Sequence, residues 1–157
     1  MKYLAYGANL NSEIFLHCCP NAKFLGVDVL EGYRLMFKGE EPLAYATIEP
    51  WENFSVPYVL WEISEDDEKA LDRYEGYPKH YQKHTVDIEF GGEKYTAMYY
   101  AKPEEEQVGQ PMTHYVEVIS QAYKDYKFDE KILLLALALS DEFYQRKMRI
   151  KRRGDDV

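Results

Sequence analysis

Residues 1–11 read MKYLAYGANLN, and this stretch predicts how the chain begins to fold. Lys2 to Tyr6 predict a short buried strand, and Asn11 or Ser12 can cap a helix that follows at once. The segment Tyr6-Gly7-Ala8-Asn9-Leu10 is therefore an elbow between a strand and a helix. Free backbone N–H groups at such a place can bind a substrate carboxylate or an oxyanion. A tight turn without a ligand explains one glycine equally simply, since no GxGxxG motif accompanies it.

The rest of the chain places strands mostly before helices. Alternating, β-branched or aromatic stretches predict strands at Phe24–Asp28, Tyr33–Lys38, Ala44–Glu49, Pro57–Ile63, Gln82–Phe90 and Glu93–Ala101. Leu30-Glu31-Gly32 lies between the first two strands, and Gly91-Gly92 fits a two-residue turn between the last two. Helices are predicted at Glu65–Tyr74, after a capping box of Ser64 and Asp67 and before Gly76, at Thr113–Tyr126, and from Asp129 toward Arg149. This order favours an α+β fold with a mixed or closed sheet over a doubly wound α/β fold.

Length and charge limit the classes of protein that this chain can be. A chain of 157 residues predicts one domain, residues 1–150, with a flexible basic and acidic tail at residues 151–157. The net charge of −9 argues against a general nucleic-acid binder. The six basic residues between Arg146 and Arg153 complement the end of the last helix better than they form a nucleic-acid patch. With no signal peptide and no long apolar run, we expect a soluble cytoplasmic protein without membrane partners.

Glu75 is the strongest candidate for chemistry. It lies at the predicted C-terminal end of a helix, where the negative end of the helix dipole disfavours a carboxylate. Tyr74, Tyr77 and Tyr81 are close in sequence, and if they exclude water, desolvation also raises the pKa of Glu75. Such a carboxyl group can take up a proton and later return it. The alternative is an ordinary exposed glutamate at a helix end.

The histidines and cysteines do not predict a metal site. His80 and His84 fall at the start of a strand, where four residues span roughly 13 Å, too far for two ligands of one ion. His17-Cys18-Cys19 lacks a second pair of ligands, so packing at a helix end is the better explanation. We therefore predict neither a metal nor another cofactor.

Two motifs together resemble the gamma-glutamylcyclotransferase-like superfamily. Tyr6-Gly7-Ala8-Asn9-Leu10 resembles its YGSNL opening, and the segment from Leu71 to Tyr77, LDRYEGY, resembles its LDxxEG segment with the catalytic glutamate. Ala8 replaces the usual serine. If that serine acts through its backbone N–H, alanine preserves the interaction; if the hydroxyl matters, one hydrogen bond of about 1 kcal/mol is lost.

Further matches extend the resemblance over about residues 2–137. They are Ala46-Thr47-Ile48 for a strand that often reads ATI, Tyr81 for a tyrosine after the glutamate, and Gln110-Pro111 with Tyr115 and Ile119 for a C-terminal pattern. The resemblance implies a small mixed, barrel-like sheet flanked by helices. It also implies an intramolecular attack of a substrate α-amine on its own γ-carbonyl, which releases 5-oxoproline and a free amine or amino acid.

The resemblance also implies roles for single residues. Glu75 is the implied general base and then general acid, and no metal, nucleotide or covalent intermediate is needed. The implied substrate-binding residues are Tyr6, Gly7, Ala8, Asn9, Leu10 and Tyr81. The leaving amine is not identified, and a homodimer is possible. A non-catalytic protein that binds a small acid or amine on the same fold is the alternative, since one fold hosts many functions.

Overall fold

The structure, a computed structural model, describes residues 1–155; residues 156 and 157, the end of the predicted flexible tail, lie outside the described residues. The strands are β1 (Lys2–Ala5), β2 (Lys23–Lys38), β3 (Tyr45–Glu62), β4 (Gln82–Phe90) and β5 (Glu93–Ala101). The helices are α1 (Ser12–Cys18), α2 (Glu65–Glu75), α3 (Thr113–Asp125) and α4 (Glu130–Asp155), and a short 3-10 helix (Ala8–Leu10) precedes α1.

The five strands form one mixed sheet in the order β2-β3-β1-β5-β4. The central strand β1 pairs antiparallel with β3 and parallel with β5. The predicted α+β class with a mixed sheet is therefore confirmed. The sheet is open rather than closed into a barrel, because β2 and β4 are its edges. A Cβ at Gly26 of β2 would lie 2.9 Å from the Phe90 ring of β4, so the two edges approach each other through one side chain.

Two pairs of predicted strands are in fact two long, bent strands. Glu31 pairs with Ser55 whereas Tyr33 pairs with Pro50, so residues 51–54 of β3 bulge out opposite Gly32. Gly32 has φ +81°, which a residue with a side chain adopts only at a cost, and β2 continues through it. The predicted separation of two strands by Leu30-Glu31-Gly32 is therefore wrong, because Gly32 lies inside the continuous strand β2, opposite the bulge of β3.

Helix α2 begins and ends where the sequence predicts. Ser64 accepts from the Asp67 backbone N–H, and the Asp67 carboxylate accepts from the Ser64 N–H, which completes the capping box. Gly76 ends the helix in the left-handed conformation with φ 66°. Leu71 is fully buried in the core beneath the helix. The position of Glu75, the last residue of α2, is thereby fixed.

The final helix is longer than predicted. It packs its buried face, including Leu133, Ala136 and Ser140, on the body of the protein and continues to Asp155. The flexibility of residues 151–157 stays a prediction, as does the cytoplasmic location. Within residues 1–155, every helix is too short or too polar to cross a bilayer.

Candidate active site

A cavity of about 800 Å³ opens between the elbow and the end of α2. Its lining includes six of the seven predicted site residues, namely Tyr6, Gly7, Ala8, Asn9, Glu75 and Tyr81. Leu10 is the exception, since its side chain is fully buried in the core and its N–H donates to the Gly7 carbonyl oxygen at 3.0 Å. Leu10 therefore has neither a side chain nor a backbone donor to offer a ligand.

Glu75 lies in the wall of this cavity with one side-chain partner. The Asn9 side-chain amide is 3.3 Å from Glu75 Oε1 and 3.0 Å from the Tyr3 hydroxyl oxygen. Burial raises the pKa of Glu75 from 4.5 to about 7, and the positive charge of Lys102 partly opposes that rise. A carboxyl group with this pKa exists as both acid and base near neutral pH, so it can carry a proton in either direction.

The elbow presents unpaired backbone donors to the cavity. Gly7 precedes the 3-10 helix with φ −117° and ψ −130°, and Gly7, Ala8 and Asn9 all line the cavity. Among residues 1–155, no acceptor is found for the N–H groups of Gly7, Ala8 or Asn9. A Cβ at Gly7 would lie 3.2 Å from the Ala46 Cβ, so the elbow packs closely against β3. Unpaired N–H groups in this arrangement can bind an anion.

Two tyrosine hydroxyl groups form hydrogen bonds with the backbone N–H and C=O groups of Ala46 in β3. The Tyr81 hydroxyl donates to the Ala46 carbonyl oxygen at 2.8 Å, and the Ala46 N–H donates to the Tyr115 hydroxyl oxygen at 3.0 Å. Tyr81 has therefore used its proton and can only accept from a ligand. Tyr115 still has an O–H to donate. Burial raises the pKa of both phenols, so both stay neutral.

Tyr6 and Tyr3 form a second pair, in which one hydroxyl donates its proton within the protein and the other does not. The Tyr6 hydroxyl donates to the Tyr100 carbonyl oxygen, so it too can only accept from a ligand. The Tyr3 hydroxyl accepts from Asn9 and, within the described part of the chain, donates to no group. Among the tyrosines of the lining that are not exposed, Tyr3 and Tyr115 thus have hydroxyl protons that are available to a bound molecule.

Three of the lining residues that can donate hydrogen bonds into the cavity, Tyr3, Lys102 and Tyr115, were not predicted as site residues. Tyr3 and Lys102 belong to no motif, and Tyr115 entered only through a family pattern. Each comes from a different element, at the start of the chain, after β5 and in α3. The high tyrosine content, 15 residues, was the only available signal for the two phenols.

The residues weighed as metal ligands do not come together. His80 is exposed at the cavity rim, whereas His84 stacks on Tyr99 with ring centroids 5.4 Å apart. Cys18 and Cys19 are free thiols beside α2. In the part of the chain that the structure describes, no three His, Cys, Asp or Glu side chains are grouped as a metal site requires.

Comparison with known proteins gives one family and several similar folds. The sequence profile of the family described as "Gamma-glutamyl cyclotransferase, AIG2-like" matches residues 3–124. An uncharacterised protein from Homo sapiens, loc79017, is 25% identical with a TM-score of 0.72, covering 80% of this chain and 79% of that one. A structure named gamma-glutamyl cyclotransferase is 24% identical with a TM-score of 0.73 and the same coverage, 80% and 79%.

YkqA from Bacillus subtilis has the same fold over part of its length. It is 24% identical with a TM-score of 0.75, and the match covers 87% of this chain but 54% of YkqA. This chain therefore spans about half of YkqA. No sequence among curated proteins matches the chain.

Proposed function

The chain belongs to the gamma-glutamyl cyclotransferase, AIG2-like family, and from this membership we propose that it converts a gamma-glutamyl compound into 5-oxoproline and a free amine or amino acid. The substrate α-amine attacks its own γ-carbonyl carbon and closes a five-membered ring. The C–N bond to the leaving amine then breaks. The reaction is intramolecular, so an enzyme that holds the substrate folded supplies much of the rate.

Glu75 carries the proton in this proposal. As a carboxylate it removes a proton from the substrate α-ammonium group, which gives the amine the lone pair needed for attack, and as a carboxylic acid it returns that proton to the nitrogen of the leaving amine. Its pKa of about 7 supports both steps at neutral pH, because neither form is scarce. The Asn9 amide, at 3.3 Å, orients the carboxyl group toward the cavity. No metal, nucleotide or covalent intermediate is required by this chemistry.

The elbow and the tyrosines hold the substrate in this proposal. The N–H groups of Gly7, Ala8 and Asn9 are assigned to the substrate α-carboxylate or to the oxyanion that forms on the γ-carbonyl. The O–H groups of Tyr3 and Tyr115 are further donors for the same oxygens. Tyr6 and Tyr81 accept from the substrate ammonium group, since their own protons are already donated.

The observation that carries the proposal is the placement of Glu75. A half-buried carboxyl group with a raised pKa lies in the same cavity as a set of unpaired donors. A protein that only binds a small acid needs the donors but gains nothing from a carboxylate beside them. This argument favours an enzyme over the binding protein that remains the alternative.

The test is a search for 5-oxoproline by mass spectrometry. The purified protein is incubated with gamma-glutamyl amino acids, ε-(gamma-glutamyl)lysine, a gamma-glutamyl alkylamine and glutathione, with Glu75→Gln in parallel. Glu89→Gln, which changes an exposed glutamate on β4, is the matched control. We expect 5-oxoproline from the wild type and from Glu89→Gln, and a loss of several orders of magnitude in Glu75→Gln. Undiminished turnover by Glu75→Gln would refute the mechanism, and binding without turnover by the wild type would establish the binding protein.

A further inference from the structure

The charged side chains around the cavity are opposite in sign to the chain as a whole. The protein has 28 acidic and 19 basic residues and a net charge of −9. Among the described residues that line the cavity, the only carboxylic acid is Glu75, whereas the basic residues are the cations Arg73 and Lys102 together with His80 and His114, which the net charge above counts as neutral. Three of these four are exposed at the rim, and Lys102 is buried with an exposed fraction of 7%. This local reversal is not expected from the composition.

Lys102 is fixed in place by its neighbours. It directly follows β5, and its backbone N–H donates to Thr47 Oγ1 at 2.8 Å. Its ammonium nitrogen lies 5.1 Å from the centroid of the Tyr81 ring, a cation–π distance, so it shares the wall of the cavity with Tyr81.

The Lys102 ammonium group has one ionic partner among the described residues. Its nitrogen is 3.1 Å from Glu106 Oε2, the distance of an ion pair. One carboxylate oxygen accepts at most one of the three ammonium N–H groups, and no other acceptor for them is present among the described residues. A bound anion would supply the missing acceptors.

The proton transfers assigned above do not require this cation. The substrate α-carboxylate and the oxyanion already have the elbow and the tyrosine hydroxyls as donors. An anionic group bound by Lys102 would therefore belong to the part of the substrate that leaves.

Given the proposed function, on which this inference rests, we propose that Lys102 binds a carboxylate on the leaving amine. The preferred substrates are then gamma-glutamyl amino acids, or gamma-glutamyl conjugates of other amino-substituted acids, rather than gamma-glutamyl alkylamines. Lys102 is a specificity-determining residue in this arrangement. It forms a charge-assisted hydrogen bond with the leaving group and takes no part in proton transfer.

The experiment compares two substrates that differ only in charge. Initial rates of 5-oxoproline release are measured for gamma-glutamylalanine and for gamma-glutamylalanine amide with the wild type, Lys102→Gln and Lys102→Arg. Lys94→Gln, which removes an exposed lysine from β5, is the matched control. We expect the wild type and Lys94→Gln to prefer the acid in kcat/KM by about 10- to 100-fold, the effect of one charge-assisted hydrogen bond.

In Lys102→Gln that preference should fall to about twofold, mainly through a higher KM for the acid, while Lys102→Arg retains most of it. An equal loss on both substrates would overturn the inference, because Lys102 would then serve the glutamyl half. Wild-type enzyme that turns over both substrates equally would also overturn it and leave the proposed function intact, even if the Lys102 variants fail to fold. Absence of 5-oxoproline from every gamma-glutamyl compound tested would refute the proposed function itself.

Discussion

Replacement of the Glu75 carboxyl group should make the protein more stable. In the folded protein the pKa of Glu75 is about 7, against an ordinary value of 4.5. Between these values the folded state holds a proton that the unfolded state has lost, so the wild type loses stability as pH rises from about 4.5 to about 7. Glu75→Gln removes this penalty, because glutamine is neutral at every pH and its amide oxygen can still accept from Asn9.

The size of the effect follows from the two pKa values. They differ by about 2.5, and one pKa unit corresponds to about 1.4 kcal/mol, so the penalty is about 3 kcal/mol once the carboxyl group is fully ionised. At pH 8 the free energy of unfolding of Glu75→Gln should exceed that of the wild type by about this amount. At pH 4 the two proteins should be nearly equal. Urea denaturation followed by circular dichroism at several pH values measures both.

The control for this experiment is Glu89→Gln, which removes an exposed carboxylate from the same acidic protein. It separates the effect of burial from the general relief of negative charge. The reasoning is refuted if Glu75→Gln is less stable than the wild type at pH 8, or if the difference between them is the same at pH 4 and pH 8. A variant that is both inactive and stabilised would show that the protein sacrifices stability at this position for reactivity.

Three further predictions concern the same cavity. The kcat/KM of the wild type should rise with pH through about 7 as Glu75 ionises. In Lys102→Gln the midpoint of this pH profile should move upward, because the positive charge of Lys102 lowers the pKa of Glu75. Initial rates between pH 5 and 9 measure both profiles, and an unmoved midpoint would contradict the prediction. Tyr81→Phe leaves the Ala46 carbonyl oxygen without its hydroxyl donor, so we expect a loss of about 1–3 kcal/mol in urea denaturation; unchanged stability would mean that water replaces the hydroxyl. Gly76→Ala places a Cβ 2.6 Å from His80 Cδ2 at a φ of 66°, which should cost about 1–2 kcal/mol or more; a variant as stable as the wild type would show that the end of α2 relaxes freely.

Local signals in the sequence were enough to predict the end of α2 and the hairpin. Ser64, Asp67 and Gly76 act within one helix, and each has the conformation that its residue type favours. Gly91 and Gly92 both have positive φ, as a two-residue hairpin turn requires. These features depend on residues only a few positions apart, so no knowledge of the rest of the fold was needed.

Features that depend on distant parts of the chain were predicted less well. The sequence predicts two separate strands on either side of Leu30-Glu31-Gly32, and only the pairing of both halves of β2 with β3 shows that β2 continues through Gly32. Leu10 was grouped with the elbow, yet packing directs its side chain into the core. Lys102 belongs to no motif. It joins the cavity wall because the fold brings it, directly after β5, beside the ring of Tyr81. Packing and tertiary contacts decide such positions, and a linear pattern does not contain them.

The two caps of α2 limit which changes in chain length the protein can tolerate. The helix has eleven residues between the Ser64 cap and the Gly76 turn, and Glu75 is the last of them. Inserting or deleting one residue would turn Glu75 by about 100° around the helix axis and away from Asn9. Relatives that share the proposed chemistry should therefore keep the spacing between the two caps. A length change inside α2 would mark the point in the family where the reaction was lost.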